Sequence, residues 1–232
     1  MQTNDYENIG DKINNFVQKN RKGIFIAFGL FILLFAGLIA YFLVNDHQNK
    51  QAIAEVEILN DEFDNLRYFL DDEYFAEDVN VLLSKLEVFA GNKKGFAGSK
   101  AWSLIAHIHS GRKQWKLAEE AWVKSADTGA KTYLGPIAFF NAAVCAEEQG
   151  KLEQAIEYLQ QCVSHNFDFP DAPRAQFNIG RLYEQLGNYP MALIAYRAVL
   201  IEWSLDRSET ITPNMHIWQN LARNQIIKLE SR

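Results

Sequence analysis

The sequence predicts an all-α chain: an N-terminal transmembrane helix followed by a solenoid of helical hairpins. Three observations carry that prediction. Residues 23–44 are an unbroken apolar run, apolar residues beyond it recur three and four apart, and the chain matches itself at a shift of 37 residues. Of 232 residues, 48% are hydrophobic and 22% charged, with 13 Gly, 5 Pro and 2 Cys, which excludes collagen-like, disulfide-stapled and disordered chains. A net charge of -6 argues against a nucleic-acid binder that works through bulk positive charge.

The first element is GIFIAFGLFILLFAGLIAYFLV, residues 23–44. As a helix at ~1.5 Å per residue it reaches roughly 33 Å, enough to cross a bilayer core of about 30 Å. A cleaved signal peptide fits less well, because the apolar stretch is long and Leu38 occupies the site two before Ala40 where a small residue is expected. Lys12, Lys19, Arg21 and Lys22 precede the span, whereas the first positive charge after it is Lys50. The positive-inside rule then places residues 1–22 in the cytoplasm and everything after Val44 across the membrane, in the periplasm of a bacterium. Ile13, Phe16 and Val17 give residues 1–22 a weak amphipathic helical pattern. Ala36 and Ala40 form a small-xxx-small pair that can admit a neighbouring helix.

Residues 45–95 are expected to form a helical pair. Ile53, Val56, Leu59, Phe63, Leu66 and Leu70 make the stripe of its first helix, and Val79 to Phe89 supply the second. Residues 96–232 hold the repeats, at about 99–135, 136–172 and 173–209, closed by a capping helix at 213–230. Ala118, Ala155 and Ala192 lie 37 apart, as do Trp122, Leu159 and Tyr196, and Ile105, Ala142 and Ile179. Ala106, Ala143 and Gly180 keep the same step, and Gly150 pairs with Gly187. Small residues are expected where helices approach closely, bulky ones where the gap is wide.

These residues resemble the tetratricopeptide repeat, which pairs two antiparallel helices in about 34 residues. Its pattern reads here as Trp102, Ile105, Ala106, His109, then Ala118 and Trp122. It continues as Phe139, Ala142, Ala143, Ala146, then Ala155 and Leu159, and again as Gln176, Ile179, Gly180, Tyr183, then Ala192 and Tyr196. The fold class implied is a tetratricopeptide-like helical-hairpin solenoid, with three extra residues per repeat assigned to the turns between units.

The order of parts narrows the resemblance. FVQKNRKGI leads into the span, a helix beginning NDHQNKQ follows, and LEVFAGNKKGFAGSKAWSLIAHI precedes the repeats. This layout is similar to the YfgM-like family of bacterial single-pass proteins, ancillary subunits of the Sec translocon. The resemblance implies association with Sec translocon subunits and with a periplasmic chaperone, in the inner membrane. An envelope scaffold for cell-wall or outer-membrane assembly is the alternative.

No enzyme signature is present, and the sequence predicts no catalytic residues, no cofactor and no metal site. His107 and His109 are two apart, so on a helix they point to different sides. His109 reads as a replacement for the packing Tyr of the repeat. Cys145 and Cys162 read as small buried hydrophobes, although an oxidising compartment would permit a disulfide. Between residues 61 and 78, Asp61, Glu62, Asp64, Asp71, Asp72, Glu73, Glu77 and Asp78 face one base, Arg67. That segment reads as a solvated hairpin tip, with docking of a basic partner as the alternative. Phe63, Tyr68, Phe69, Tyr74 and Phe75 are expected to face inward.

Repeat solenoids bind partners along the groove lined by their first helices. By register that groove holds Ser103 and His107, then Ile137, Phe140 and Val144, then Arg174, Phe177 and Arg181. Phe mixed with Arg suits an extended or helical polypeptide. For Phe140 and Phe177 the alternative is packing against a neighbouring helix. Proteins are therefore the expected partners, with the membrane reached through one spanning helix and no nucleic acid. The pattern says nothing of oligomeric state.

Overall fold

A computed structural model describes residues 3–165, 169–202 and 213–231. The described residues are helical, with no strand among them. They form α1 (Thr3–Leu66), a 3-10 turn (Glu73–Phe75), α2 (Ala76–Asn92), α3 (Gly95–Gly111), α4 (Trp115–Thr128), α5 (Leu134–Glu148), α6 (Leu152–His165), α7 (Ala172–Gln185), α8 (Tyr189–Glu202) and α9 (Pro213–Glu230). The chain divides into two units, residues 1–51 and 52–232.

In the first unit α1 exposes its apolar residues on every side, Phe25 at 70% and Leu34 at 75% among them. A helix that is apolar all round and buries nothing is a candidate membrane span. No separate short helix covers the N-terminal segment and none begins at Asn45, because α1 runs from Thr3 to Leu66 without interruption. No Pro and no helix-ending turn stands between those residues to break it.

The second unit opens with the last turns of α1 packed on α2. Ala52, Val56, Leu59 and Phe63 meet Val79, Leu82, Leu86 and Phe89 in one core cluster. Ile53, predicted for that stripe, is exposed, and Leu70 is buried from the turn after the helix has ended. Lys85–Glu62 and Lys100–Glu57 ion pairs at 2.8 and 2.7 Å tie the end of α1 to α2 and α3. In the turn, Asp72 accepts the Tyr74 amide at 2.8 Å and caps the 3-10 segment. Three of the aromatics expected to face inward do not: Tyr68 is 76% exposed, Tyr74 85% and Phe69 39%. The Phe69 ring lies 4.5 Å from that of Phe75, tilted by 31°.

From α3 onward each helix packs on the next, while α3 also touches α5 and α7 touches α9. That contact pattern is a solenoid of hairpins whose first helices are neighbours. Loops between hairpins are longer than those within them: residues 129–133 join α4 to α5, whereas 112–114 join α3 to α4. Within the hairpins the chain turns through a left-handed residue at one register position, Lys113 (φ 56), Gly150 (φ 72) and Gly187 (φ 72). The amide after each bonds five residues back, Gln114 to His109, Lys151 to Ala146 and Asn188 to Tyr183, which closes the helix end.

Packing follows the small-and-large pattern. Ala106, Ala118, Ala155 and Ala192 are fully enclosed. Gly180 lies so close to the Tyr196 ring that a Cβ there would stand 2.6 Å from it. Repeat three, expected to reach 209, passes beyond Glu202 into residues 203–212, which lie outside the described residues, as does the side chain of His165.

Candidate protein-binding groove

The first helices place three rows of side chains 37 residues apart. The row nearest the helix starts is Lys100, Ile137 and Arg174, the next Ser103, Phe140 and Phe177, the last His107, Val144 and Arg181. Between α5 and α7 these rows converge on a cleft of about 100 Å³. Phe140, Ala143, Val144 and Glu147 line one side, Arg174, Asn178, Arg181 and Leu182 the other. Four predicted groove residues, Phe140, Val144, Arg174 and Arg181, are thus brought together. Ile137 is half-buried beside them, packed on the second core cluster.

Charge inside the cleft is partly neutralised. Arg181 donates two hydrogen bonds to the Glu147 carboxylate, both at 2.6 Å, and a third from Nε to Asn178 Oδ1 at 3.0 Å. The bidentate pair holds the Glu147 carboxyl below its usual range and pushes the Arg181 guanidinium up. The Arg174 guanidinium lies 4.6 Å from the centre of the Phe140 ring and 6.0 Å from that of Trp218.

Three predicted groove residues lie elsewhere, Ser103 among them, bonded between α3 and α4. Phe177 is 9% exposed, with its ring 5.2 Å from Tyr196 and 5.5 Å from Trp218. It belongs to the core formed where α9 closes on α7 and α8, so it is a packing residue. His107 stands away from the cleft, its ring set edge-on to Trp122 at 4.7 Å and 6.0 Å from Phe63. Desolvation by these neighbours lowers its pKa. It lines a separate concavity with Phe63, Arg67 and Tyr68.

The predicted packing residues meet their partners. Trp122 is buried, and Trp102 is half-buried with the Lys124 ammonium 4.5 Å from its ring centre. Ala143 is buried, and Tyr183 is half-buried between the second and third core clusters. The Tyr196 hydroxyl donates to Glu184 at 2.6 Å, and burial together with that carboxylate raises its pKa. His109 is buried where the repeat's Tyr would stand, 2.7 Å from Gln114.

One buried carboxylate was not foreseen. Glu119 accepts from Gln149 Nε2 at 2.7 Å, Lys151 Nζ at 2.9 Å and the Tyr158 hydroxyl at 3.0 Å. Desolvation pushes its pKa up, but the three hydrogen bonds outweigh that and hold it below the ordinary value. Register was the available signal, because Glu119 aligns with Ile156, an apolar core position. Ser99, Ser103 and Ser125 form a second buried polar knot between α3 and α4, with Oγ–Oγ distances of 3.1 and 2.8 Å. Cys145 and Cys162 are buried and unbonded, and burial pushes their thiols up to about 11 and about 12. Among the described residues no group of His, Cys, Asp and Glu is arranged to hold a metal ion.

Comparison with known proteins supports the repeat assignment. A family model described as "Tetratricopeptide repeat" matches residues 104–165 and 146–207. A "TPR repeat-containing protein" of Treponema pallidum (strain Nichols) is 40% identical over 119 residues, which span 50% of this chain and 49% of that relative. Among solved structures, a Podosopora anserina kinesin light chain of nearly identical TPR-like repeats superposes with a TM-score of 0.53 at 15% identity. It covers 76% of this chain and 92% of its own. A single-substitution variant of it gives 0.53 at 16% identity, over 76% and 91%. At these identities the likeness is one of fold.

Proposed function

From a chain whose residues 104–207 carry tetratricopeptide repeats, a fold that typically serves as a non-enzymatic protein-interaction scaffold, we propose a membrane-anchored docking subunit. The observation that carries this reading is the α5–α7 cleft, an open apolar floor edged by Arg174 and the Arg181–Glu147 pair. Arg and aromatic side chains around an apolar depression are the composition of a polypeptide anchor site.

The anchor is residues 23–44 of α1, oriented by Lys19, Arg21 and Lys22 with residues 1–22 in the cytoplasm and the repeats in the periplasm. The mechanism is tethering. Holding both members in one membrane raises their effective concentration, so weak groove contacts suffice. The layout similar to the YfgM-like family supports Sec translocon subunits and a periplasmic chaperone as the partners.

Purification from mild detergent tests this, comparing the full chain with residues 45–232 exported alone and identifying partners by mass spectrometry. Sec channel subunits together with a chaperone, recovered only when residues 23–44 are present, are the expected result. Envelope-assembly proteins recovered equally by both forms would replace it with a scaffold for cell-wall or outer-membrane assembly.

A further inference from the structure

Resting on the groove reading and deepening it, we infer that the α5–α7 cleft selects an internal polypeptide segment bearing one side-chain carboxylate beside an aliphatic residue. Arg174 is the residue that meets the carboxylate.

The inference follows from which polar groups of the cleft are already engaged. Arg181 gives both terminal nitrogens to Glu147 and its Nε to Asn178. Asn178 uses its oxygen there and its nitrogen on the Arg174 carbonyl at 2.9 Å. Arg174 is different. Among the described residues its side chain makes no ion pair and no hydrogen bond, and its contacts are the Phe140 and Trp218 rings. Ring contacts satisfy none of the five guanidinium N–H donors, but they hold the group in place. The result is a positioned cation whose planar fork meets no acceptor among the described residues.

Its surroundings fix the rest of the ligand. Ala143, Val144 and Leu182 provide an apolar floor, and Val144 is 43% exposed with nothing over it among the described residues. The volume of about 100 Å³ admits one aliphatic side chain. Arg174, the cleft cation left without an acceptor among the described residues, matches one carboxylate, and a second acid would meet Glu147. A chain terminus would call on further donors around its carboxylate, and Asn178 and Arg181 are engaged. A single planar fork therefore fits the side chain of Asp or Glu within a continuing segment.

The probe is a phage-displayed library of 12-residue peptides flanked by linker on both sides, sorted against the full chain in lipid nanodiscs. Wild type, Arg174→Ala, Arg174→Glu and Val144→Glu are compared, each checked for unchanged helicity and melting. Both positions are exposed, so the fold tolerates the changes. Enriched peptides are expected to carry one Asp or Glu next to Leu, Ile or Val. Arg174→Ala should weaken them about tenfold, as loss of a charge-assisted pair does. Arg174→Glu should instead enrich Lys or Arg at the acidic position, and Val144→Glu should abolish binding.

Acid-free peptides indifferent to Arg174→Glu yet lost with Val144→Glu would overturn the inference and leave the groove reading intact. Peptides indifferent to Val144→Glu, or no enriched peptide at all, would overturn both. A second library with free C-termini separates the two carboxylate sources. Stronger, Arg174-dependent enrichment there would overturn the assignment to a side chain.

Discussion

The step from the first repeat to the second and the step from the second to the third share one register but rest on different chemistry. At the first, Glu119 on α4 gathers Gln149, Lys151 and Tyr158 from the α5–α6 hairpin. Moving 37 residues along, those four positions become Ile156, Leu186, Asn188 and Ala195. Ile156 and Ala195 are both buried in one apolar cluster. Beyond them the third repeat is closed by rings, with Tyr196 under Gly180 and Phe177 between Tyr196 and Trp218. A repeat fixes the geometry of the step and leaves open whether ions or rings hold it. The second step carries an ion pair as well, Arg181 on α7 with Glu147 on α5, so a carboxylate with a lowered pKa sits at both steps and the rings close the third repeat beyond them.

The largest effect is expected at the rings. Tyr196→Ala empties a fully buried position and should cost about 3–5 kcal/mol, read as a fall in the denaturant midpoint. Gly180→Ala attacks the same contact from the other side, since its Cβ would press on the Tyr196 ring. It should cost about 1–3 kcal/mol, and Gly180→Ala with Tyr196→Ala should be less than additive. If the two losses simply add, the close approach is not what holds that step.

Next comes the polar step. Glu119→Gln keeps the volume but removes the charge that Lys151 and Tyr158 address, and should cost about 1–2 kcal/mol at neutral pH. Because the folded-state pKa of Glu119 is lowered, its contribution is fully present above the ordinary value of 4.5. It is lost as pH falls from there through the lowered value. Wild type and Glu119→Gln should therefore converge in melting temperature below pH 4.5. A wild-type advantage that persists well below that window would break the comparison.

The smallest effect is a gain. Lys113 holds a left-handed turn that Gly150 and Gly187 hold in the other two hairpins. Lys113→Gly should add about 1 kcal/mol by relieving that conformation, visible as a modest rise in melting temperature.

Most of the architecture was legible because close approach leaves a mark in composition. Ala118, Ala155 and Ala192 recur where nothing larger fits, and Gly150 and Gly187 where φ is positive. Positions that escaped reading lack such a mark. Lys113 serves the glycine's role without being glycine. Glu119 looks like any solvated helix charge until its register partner Ile156 is set beside it. Phe140 and Phe177 share one register position, yet α9 covers the second and leaves the first on the cleft, a difference made by tertiary contact alone. Tyr68 and Tyr74 project outward because the turn they sit in is too short to bury them.

The two enclosed thiols bear on the order of events during folding. Disulfide exchange proceeds through the thiolate, and burial, which pushes the Cys145 thiol up to about 11, disfavours that form. Enclosure of both cysteines in the completed fold thus works against their oxidation. Before α5 and α6 close, the same cysteines are ordinary thiols 17 residues apart on an open chain (162 - 145). In oxidising surroundings the second repeat matures with two courses open to it, helix docking or a Cys145–Cys162 bond, until docking encloses both thiols.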